Sequence, residues 1–115
     1  MGQSTCVGIG GDAIIGLDFI RLLEMFKDDG ETKGVVLLDE IGGNLEELAA
    51  QYISKTNYPK ASGSLYCRKV SPTGKTYGAI IMGSTGTAKS KIDAFTTAGV
   101  PVAEKPSDVV KLLKV

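Results

Sequence analysis

Histidine is absent from this chain of 115 residues. Its absence removes the commonest general base and the commonest neutral metal ligand of proteins. Cysteine is scarce: Cys6 and Cys67 stand far apart in the sequence, and neither belongs to a Cys-x-x-Cys motif. We therefore expect no zinc or other metal site. Both cysteines lie in apolar runs typical of strands, so we expect buried, reduced thiols, with a single disulfide left open as the alternative.

The chain also has no formal net charge, because 13 Lys and Arg residues balance 13 Asp and Glu residues. A neutral chain without a basic run has no electrostatic reason to bind nucleic acid or an anionic membrane surface. No apolar run approaches the roughly 20 residues of a membrane-spanning helix. The opening "MGQSTC" has no basic segment of the kind that begins a signal peptide. We expect a cytoplasmic protein, or a piece of a larger one, with no nucleic-acid or membrane partner.

What is present is a globular composition, with 43% hydrophobic and 23% charged residues. This composition predicts a single domain over residues 1–115. Apolar runs of strand length alternate along the chain with segments of helical spacing. The predicted strands cover residues 5–11, 34–43, 61–67, 78–83 and 100–105, and the predicted helices cover residues 17–26, 45–55, 87–99 and 106–115.

This alternation of strands and helices is typical of a parallel sheet joined by right-handed crossovers. Between Cys67 and Gly78, where another helix would be expected, the sequence "RKVSPTGKTY" is polar and rich in turn formers. We predict an α/β fold of the flavodoxin-like, doubly wound type. Its sheet would be five-stranded and mostly parallel, with helices on both faces and the third helix reduced or absent.

Three predicted strand ends carry glycines, in "GIGGD" (8–12), "EIGGN" (40–44) and "GSTGT" (83–87). The carboxyl ends of parallel strands meet at one edge of a sheet, and each loop precedes a helix whose free N–H groups can receive an anion. We therefore predict phosphate or anion binding at Gly10, Gly11, Asp12 and Gly86. The alternatives stay open: glycine also serves such turns for backbone reasons alone, and Asp12 could simply cap the first helix.

Two better-known phosphate motifs are excluded by single positions. The dinucleotide fingerprint Gly-x-Gly-x-x-Gly would need glycine where Ala13 stands. The P-loop that "GKT" (74–76) suggests would need glycine where Lys69 stands, and a strand rather than a helix is predicted after it. Lys75 could still assist anion binding, although a solvated loop lysine is the simpler interpretation.

Longer segments carry a resemblance to a known family. They are "GQSTCVGIGGD", "DFIRLLEMF", "EIGGNLEELAA", "GKTYGAIIMG" and "GTAKSKIDAFTTAGV", which occur in this order over nearly the whole chain. Together they resemble the C-terminal, ligase-type domain of the succinyl-CoA synthetase α subunit. The resemblance implies a flavodoxin-like domain, in agreement with the fold predicted from the alternation of elements.

The resemblance also implies a function. Enzymes of this family interconvert succinate, CoA and a nucleoside triphosphate with succinyl-CoA, through a phosphohistidine on this domain. By similarity, Ser4 and Thr5 lie near the phosphate site, the helix after "GIGGD" helps to stabilise the phosphate, and Glu40 orients the histidine. A separate N-terminal domain binds CoA and a β subunit binds nucleotide, so both are implied partners. We expect no cofactor on this chain alone, and a cytoplasmic or, in a eukaryote, mitochondrial-matrix location.

The chain departs from the family where the histidine should be. The stretch "GKTYGAII" is shorter than its family counterpart and contains no histidine, and Tyr77 is no substitute because an unperturbed tyrosine has a pKa of ~10. Three hypotheses follow: a domain that is inactive alone, a working subunit whose nucleophile comes from elsewhere, and a pseudo-enzyme or scaffold that binds a β-subunit-like partner. Without the histidine, Glu40 is expected to be solvated or bonded to Thr76 or Tyr77.

Overall fold

The computed structural model describes residues 2–12, 14–62, 65–67 and 86–113. Within these residues the chain is an α/β structure of four helices and five short strands. In chain order the elements are α1 (Phe19–Asp28), β1 (Gly34–Val35), β2 (Leu38–Asp39), α2 (Leu45–Thr56), β3 (Ala61–Ser62), β4 (Leu65–Cys67), α3 (Ala88–Thr97), β5 (Val102–Ala103) and α4 (Pro106–Leu112).

The four predicted helices are confirmed, and their ends follow from local chemistry. Helix α1 begins after Asp18, whose carboxylate accepts a hydrogen bond from the Arg21 amide at 2.7 Å. Helix α3 begins after Thr87, whose hydroxyl oxygen accepts from the Ser90 amide at 3.0 Å. Gly99 follows α3 with a φ of 75°, the left-handed conformation in which glycine ends helices at least strain.

All strand pairs are parallel, as predicted, but they form two sheets: β1 pairs with β3, and β4 lies between β2 and β5. A single five-stranded sheet is therefore not shown by the described residues. The strand predicted over 34–43 is divided into β1 and β2, with Val36 and Leu37 between them. The strand predicted over 78–83 and the reduced third helix lie outside the described residues.

The prediction of a first strand over 5–11 is wrong, because this segment has no regular secondary structure and is largely exposed. Gly8, Gly10 and Gly11 supply no side chains to pack on a sheet, and glycine weakens strand interiors. The expected burial of Cys6 fails with it: its thiol is free and exposed.

The core lies where α1, α2 and α3 meet. Phe95 is fully buried and Leu23 nearly so, and the Tyr58 hydroxyl donates a 2.7 Å hydrogen bond to the Leu23 carbonyl. Val35 and Val102 bring β1 and β5 against this cluster. No helix in the described part of the chain is long and apolar enough to cross a membrane.

Candidate functional site

The candidate site is the edge at which β2 ends and α2 and α3 begin. The loop Glu40–Asn44 runs from β2 to α2, and Gly86 and Thr87 lead into α3. The two loops are bonded directly, since the Gly42 amide donates to the Gly86 carbonyl at 2.8 Å. Two of the three glycine loops predicted to share one edge are therefore brought together.

Gly86 is required by this contact. Its φ is 75°, and a Cβ at this position would lie 2.4 Å from the carbonyl oxygen of Gly43. No L-amino acid fits at this position unless the neighbouring backbone moves. Gly42 and Gly43 also have positive φ values, 103° and 65°, so the loop before α2 turns through conformations that favour glycine.

The amide of Gly86 already has an anionic acceptor from the protein itself. Oε1 of Glu47, in the first turn of α2, accepts from the Gly86 amide at 3.0 Å and from the Ser90 hydroxyl at 2.9 Å. A carboxylate is thus held at the start of α3, where the helix dipole favours negative charge. An external anion at Gly86 would have to displace Glu47, so anion binding there stays a prediction.

Directly beneath this edge lies a buried cluster of three charged side chains, one from each adjoining element. The Lys91 side chain of α3 is 0% exposed, and its ammonium lies 3.0 Å from either oxygen of Asp39 and 2.8 Å from Oε2 of Glu46. Asp39 Oδ2 and Glu46 Oε2 take part in these ion pairs without hydrogen-bond geometry and have no other partner among the described residues.

The same ammonium holds the loop backbone. Lys91 donates to the carbonyls of Glu40 at 2.6 Å and Gly42 at 2.7 Å. These carbonyls follow the end of β2. Because buried backbone groups must find partners, the lysine supplies a donor for each of them.

Burial and the facing carboxyls set the titration of this cluster. Burial is the main cause that raises the pKa of Asp39 to about 8; the adjacent Glu46 carboxyl adds to it and Lys91 opposes it. For Lys91, burial disfavours the charged form, but the bonds to Glu46 and Asp39 outweigh it and leave the pKa above its usual value. Lys91 therefore stays charged, whereas Asp39 keeps its proton up to about pH 8.

The backbone and the side chain of Glu40 lie in different environments. Its carbonyl is held inside by Lys91, whereas its side chain is exposed. This agrees with the expectation of a solvated carboxylate, while the alternative bonds to Thr76 or Tyr77 fall outside the described residues. The carboxylate that the resemblance assigned to orienting the family's histidine is therefore presented to solvent.

The first glycine loop is placed differently. Thr5, Gly10, Gly11 and Asp12 are exposed, and among the described residues no hydrogen bond joins this segment to the other two loops. Ser4 meets only Thr32, with 3.4 Å between their hydroxyl oxygens.

The first loop is also separated from a helix start. Helix α1 begins only at Phe19 and is capped by Asp18, so the interpretation of Asp12 as its cap is wrong. Anion binding by the first loop stays a prediction. The described residues contain no group of three or more histidine, cysteine, aspartate or glutamate side chains that could hold a metal ion.

Sequence reasoning missed Asp39, Glu46, Glu47 and Lys91. One signal was present: Lys91 precedes the core residue Phe95 by four positions, which places a cation on the apolar face of α3. Such a lysine calls for carboxylate partners, because lysine is almost never fully buried unpaired. The identity of those partners depends on the fold.

The sequence of the whole chain decides its family. Residues 1–114 match the CoA-ligase family. The chain is a member of this family. Among the curated relatives of this CoA-ligase chain, the succinate–CoA ligase [ADP-forming] subunit alpha 2 of Archaeoglobus fulgidus is 48% identical over an alignment of 116 positions, which covers 98% of this chain and 40% of that subunit. The alpha subunit of Methanothermobacter thermautotrophicus is 49% identical over 112 residues, 95% of this chain and 38% of that subunit.

The predicted resemblance to the α subunit of this ligase is thus confirmed, and the CoA-ligase chain spans about two fifths of the length of these relatives. A solved structure supports the fold: ATP citrate lyase of Methanosaeta concilii, a D541A mutant in complex with (3S)-citryl-CoA. It superposes with a TM-score of 0.76 over 91% of this chain and 18% of that chain, at 22% identity.

Proposed function

We propose that this chain is the ligase-type domain of an α subunit of the succinate–CoA ligase kind, and that it carries no phosphoryl group itself. One observation carries the proposal: a chain that is about half identical to such α subunits over 98% of its length contains no histidine. The nucleophile that the resemblance implies is therefore not available, and we propose that the domain alone is inactive. For residues 1–115 as a single domain, we keep the flavodoxin-like, doubly wound and mostly parallel sheet as part of this proposal.

The geometry of the edge supports a role in presenting groups to a partner. The Glu40–Asn44 loop is locked to Gly86, and the Glu40 carboxylate is exposed on it. A carboxylate on a rigid backbone can orient a protonated or hydrogen-bonding group of another chain at little entropic cost. CoA and the nucleotide would be held by an N-terminal CoA-binding domain and a β subunit, with the complete assembly in the cytoplasm or, in a eukaryote, the mitochondrial matrix.

Phosphoryl transfer provides the direct test. This chain is incubated with the β subunit of the Archaeoglobus fulgidus ligase, Mg²⁺ and ATP labelled in its γ-phosphate, and the intact α subunit of that organism is the positive control. We expect label on the control α subunit and none on this chain, because a stable phosphohistidine needs an imidazole. Acid-labile, base-stable label on this chain would overturn the proposal.

A second candidate function, a scaffold for a β-subunit-like partner, is favoured by exposed apolar side chains before α1. Ile14 is 93% exposed, and Val7 and Leu17 are each 43% exposed. Large apolar groups concentrated in one short segment are typical of surfaces that bind other proteins. This role and an inactive α-type domain differ in one respect: the scaffold must bind its partner without the rest of the α subunit. Size-exclusion chromatography of the chain with the same β subunit distinguishes them.

A further inference from the structure

We infer that Lys91 is the positioning residue of the candidate site: its buried ammonium fixes the Glu40–Asn44 loop and so sets the direction in which Glu40 projects. The inference rests on the proposed function for what Glu40 meets, but the fixing of the loop can be tested on the free chain. The three N–H groups of Lys91 are donated to the carbonyl oxygens of Glu40 and Gly42 and to Oδ1 of Asp39, and Oε2 of Glu46 makes an ion pair with the same ammonium.

The loop needs such an internal anchor. Two of its residues are glycines at positive φ, and glycine loses more conformational freedom on folding than any other residue type. It makes one described backbone hydrogen bond outside α2, from the Gly42 amide to the Gly86 carbonyl. Lys91 donates hydrogen bonds to the carbonyls on either side of Ile41, those of Glu40 and Gly42, and the glycine-rich turn is thereby held at two nearby points.

The carboxylates explain why a lysine can occupy this position. An unpaired ammonium in the interior would lose its charge, and Asp39 and Glu46 keep it charged and bonded. One hypothesis is that the cluster serves charge balance alone. The other is that the two bonds from Lys91 to the loop carbonyls also hold the loop in place. The two hypotheses differ in whether the loop stays protected when charge balance is restored without the lysine.

The experiment compares amide hydrogen exchange and carbonyl carbon chemical shifts by NMR in the 115-residue chain and its variants. Lys91→Met removes the donors and keeps an unbranched chain in the core. Lys89→Met is the matched control, because that lysine is on the same helix with its side chain 88% exposed, paired only with Asp93. Since hydrogen bonds to charged groups contribute about 1.5–3 kcal/mol, exchange protection of Gly42 should fall about tenfold to a hundredfold in Lys91→Met.

The reference is the Val100 amide, which bonds the Phe95 carbonyl at 2.9 Å on the core side. Protection of both amides is compared after subtracting each variant's loss of unfolding free energy, measured by urea unfolding. On this scale we expect Val100 to lose much less protection than Gly42, and we expect the carbonyl shifts of Glu40 and Gly42 to move toward solvated values. In Lys89→Met both amides should keep their protection. Equal loss at Gly42 and Val100, or no loss at either, would overturn the inference.

A second variant covers the case in which Lys91→Met does not fold. The triple change Asp39→Asn, Glu46→Gln and Lys91→Met replaces the three ionisable groups of the cluster with neutral ones, so no carboxylate of the cluster is left unpaired. We expect this variant to fold with Val100 protected, and to keep the loss of protection at Gly42. Recovery of Gly42 to the wild-type level would show that Lys91 serves charge balance alone and would refute the positioning role. Neither outcome depends on whether a β subunit binds.

Discussion

A fully buried lysine is the residue on which the candidate site depends. Lys91 joins three elements, because its partners Asp39 and Glu46 belong to β2 and α2 while it belongs to α3. Removing Lys91 from such a cluster leaves buried carboxylate charge without compensation, and losing one partner of a buried pair destabilises proteins by about 3–5 kcal/mol. The cluster therefore fixes how these elements meet, although a well-packed apolar trio could give equal stability.

The pH dependence of stability should reveal the proton on Asp39. Folding raises the pKa of this carboxyl from 3.8 to about 8, so between these values the folded chain binds a proton that the unfolded chain does not. The free energy of unfolding then falls as the pH rises through this window. Asp39→Asn mimics the protonated carboxyl and should remove this part of the slope, so the variant gains stability relative to the wild type toward pH 8. Urea unfolding across the window measures it.

The control for this prediction is Asp93→Asn on the exposed surface of the same α3, where the carboxylate pairs with Lys89. It should keep the wild-type slope. The groups that face Asp39 are Glu46 of α2 and Lys91 of α3, and Lys91 stays charged throughout because its pKa is raised. Parallel stability curves for the wild type and Asp39→Asn would contradict the assignment of the proton.

At the scale of elements, the two helices that start at the candidate site are capped in different ways. Thr87 caps α3 with its hydroxyl, whereas Asn44 makes no side-chain hydrogen bond at the start of α2. Asparagine is a favoured residue at this position, but Asn44 holds the cap position without the side-chain bond that usually accompanies it. The first turn of α2 carries Glu46 and Glu47 instead, which favour the positive end of the helix dipole.

This difference predicts unequal costs for two similar substitutions. Thr87→Ala should lower the free energy of unfolding by about 1 kcal/mol, since it removes an acceptor for the Ser90 amide. Asn44→Ala should change it by only a few tenths of a kcal/mol, because no cap bond is lost. Chemical denaturation of both variants provides the measurement, and an Asn44→Ala loss as large as that of Thr87→Ala would contradict the observed capping.

At the scale of the whole molecule, this chain spans about two fifths of the length of its relatives, and the partner proposed above would bind the exposed apolar residues before α1. Ile14 is the most exposed of the large apolar side chains described. Burial of such a side chain contributes about 1.5–3 kcal/mol. A partner that covers it therefore gains a large share of its affinity from one residue.

We predict that Ile14→Ser weakens binding of the Archaeoglobus fulgidus β subunit by about tenfold or more, which corresponds to the lost burial of one apolar side chain. Thermal stability should stay unchanged, because the residue is 93% exposed. Val110→Ser on α4 removes another apolar group, 61% exposed, and should leave binding unaltered. Calorimetric titration compares the two, and equal affinities would refute a docking role for the segment before α1.

The elements that could be predicted from sequence are those whose causes are local. Helices α1–α4 were found because their spacing, caps and terminating residues lie within each segment, as with Gly99 after α3. Strands were predicted less well, because a strand forms only beside a neighbouring strand. The glycine-rich segment 5–11 is an apolar run of strand length, but it has no regular secondary structure. An interruption of a strand, such as the one at Val36 and Leu37, cannot be recognised in a continuous apolar run.

The sequence by itself determined the family, the parallel α/β character, the four helices and the absence of the histidine, because residue identity and short-range spacing carry these properties. Only the tertiary structure decided that Lys91 meets Asp39 and Glu46, that Glu47 occupies the Gly86 amide, and that Glu40 is exposed. The physical reason is distance along the chain: Lys91 and Asp39 are 52 positions apart. Burial and charge pairing at such separation exist only after the chain has folded.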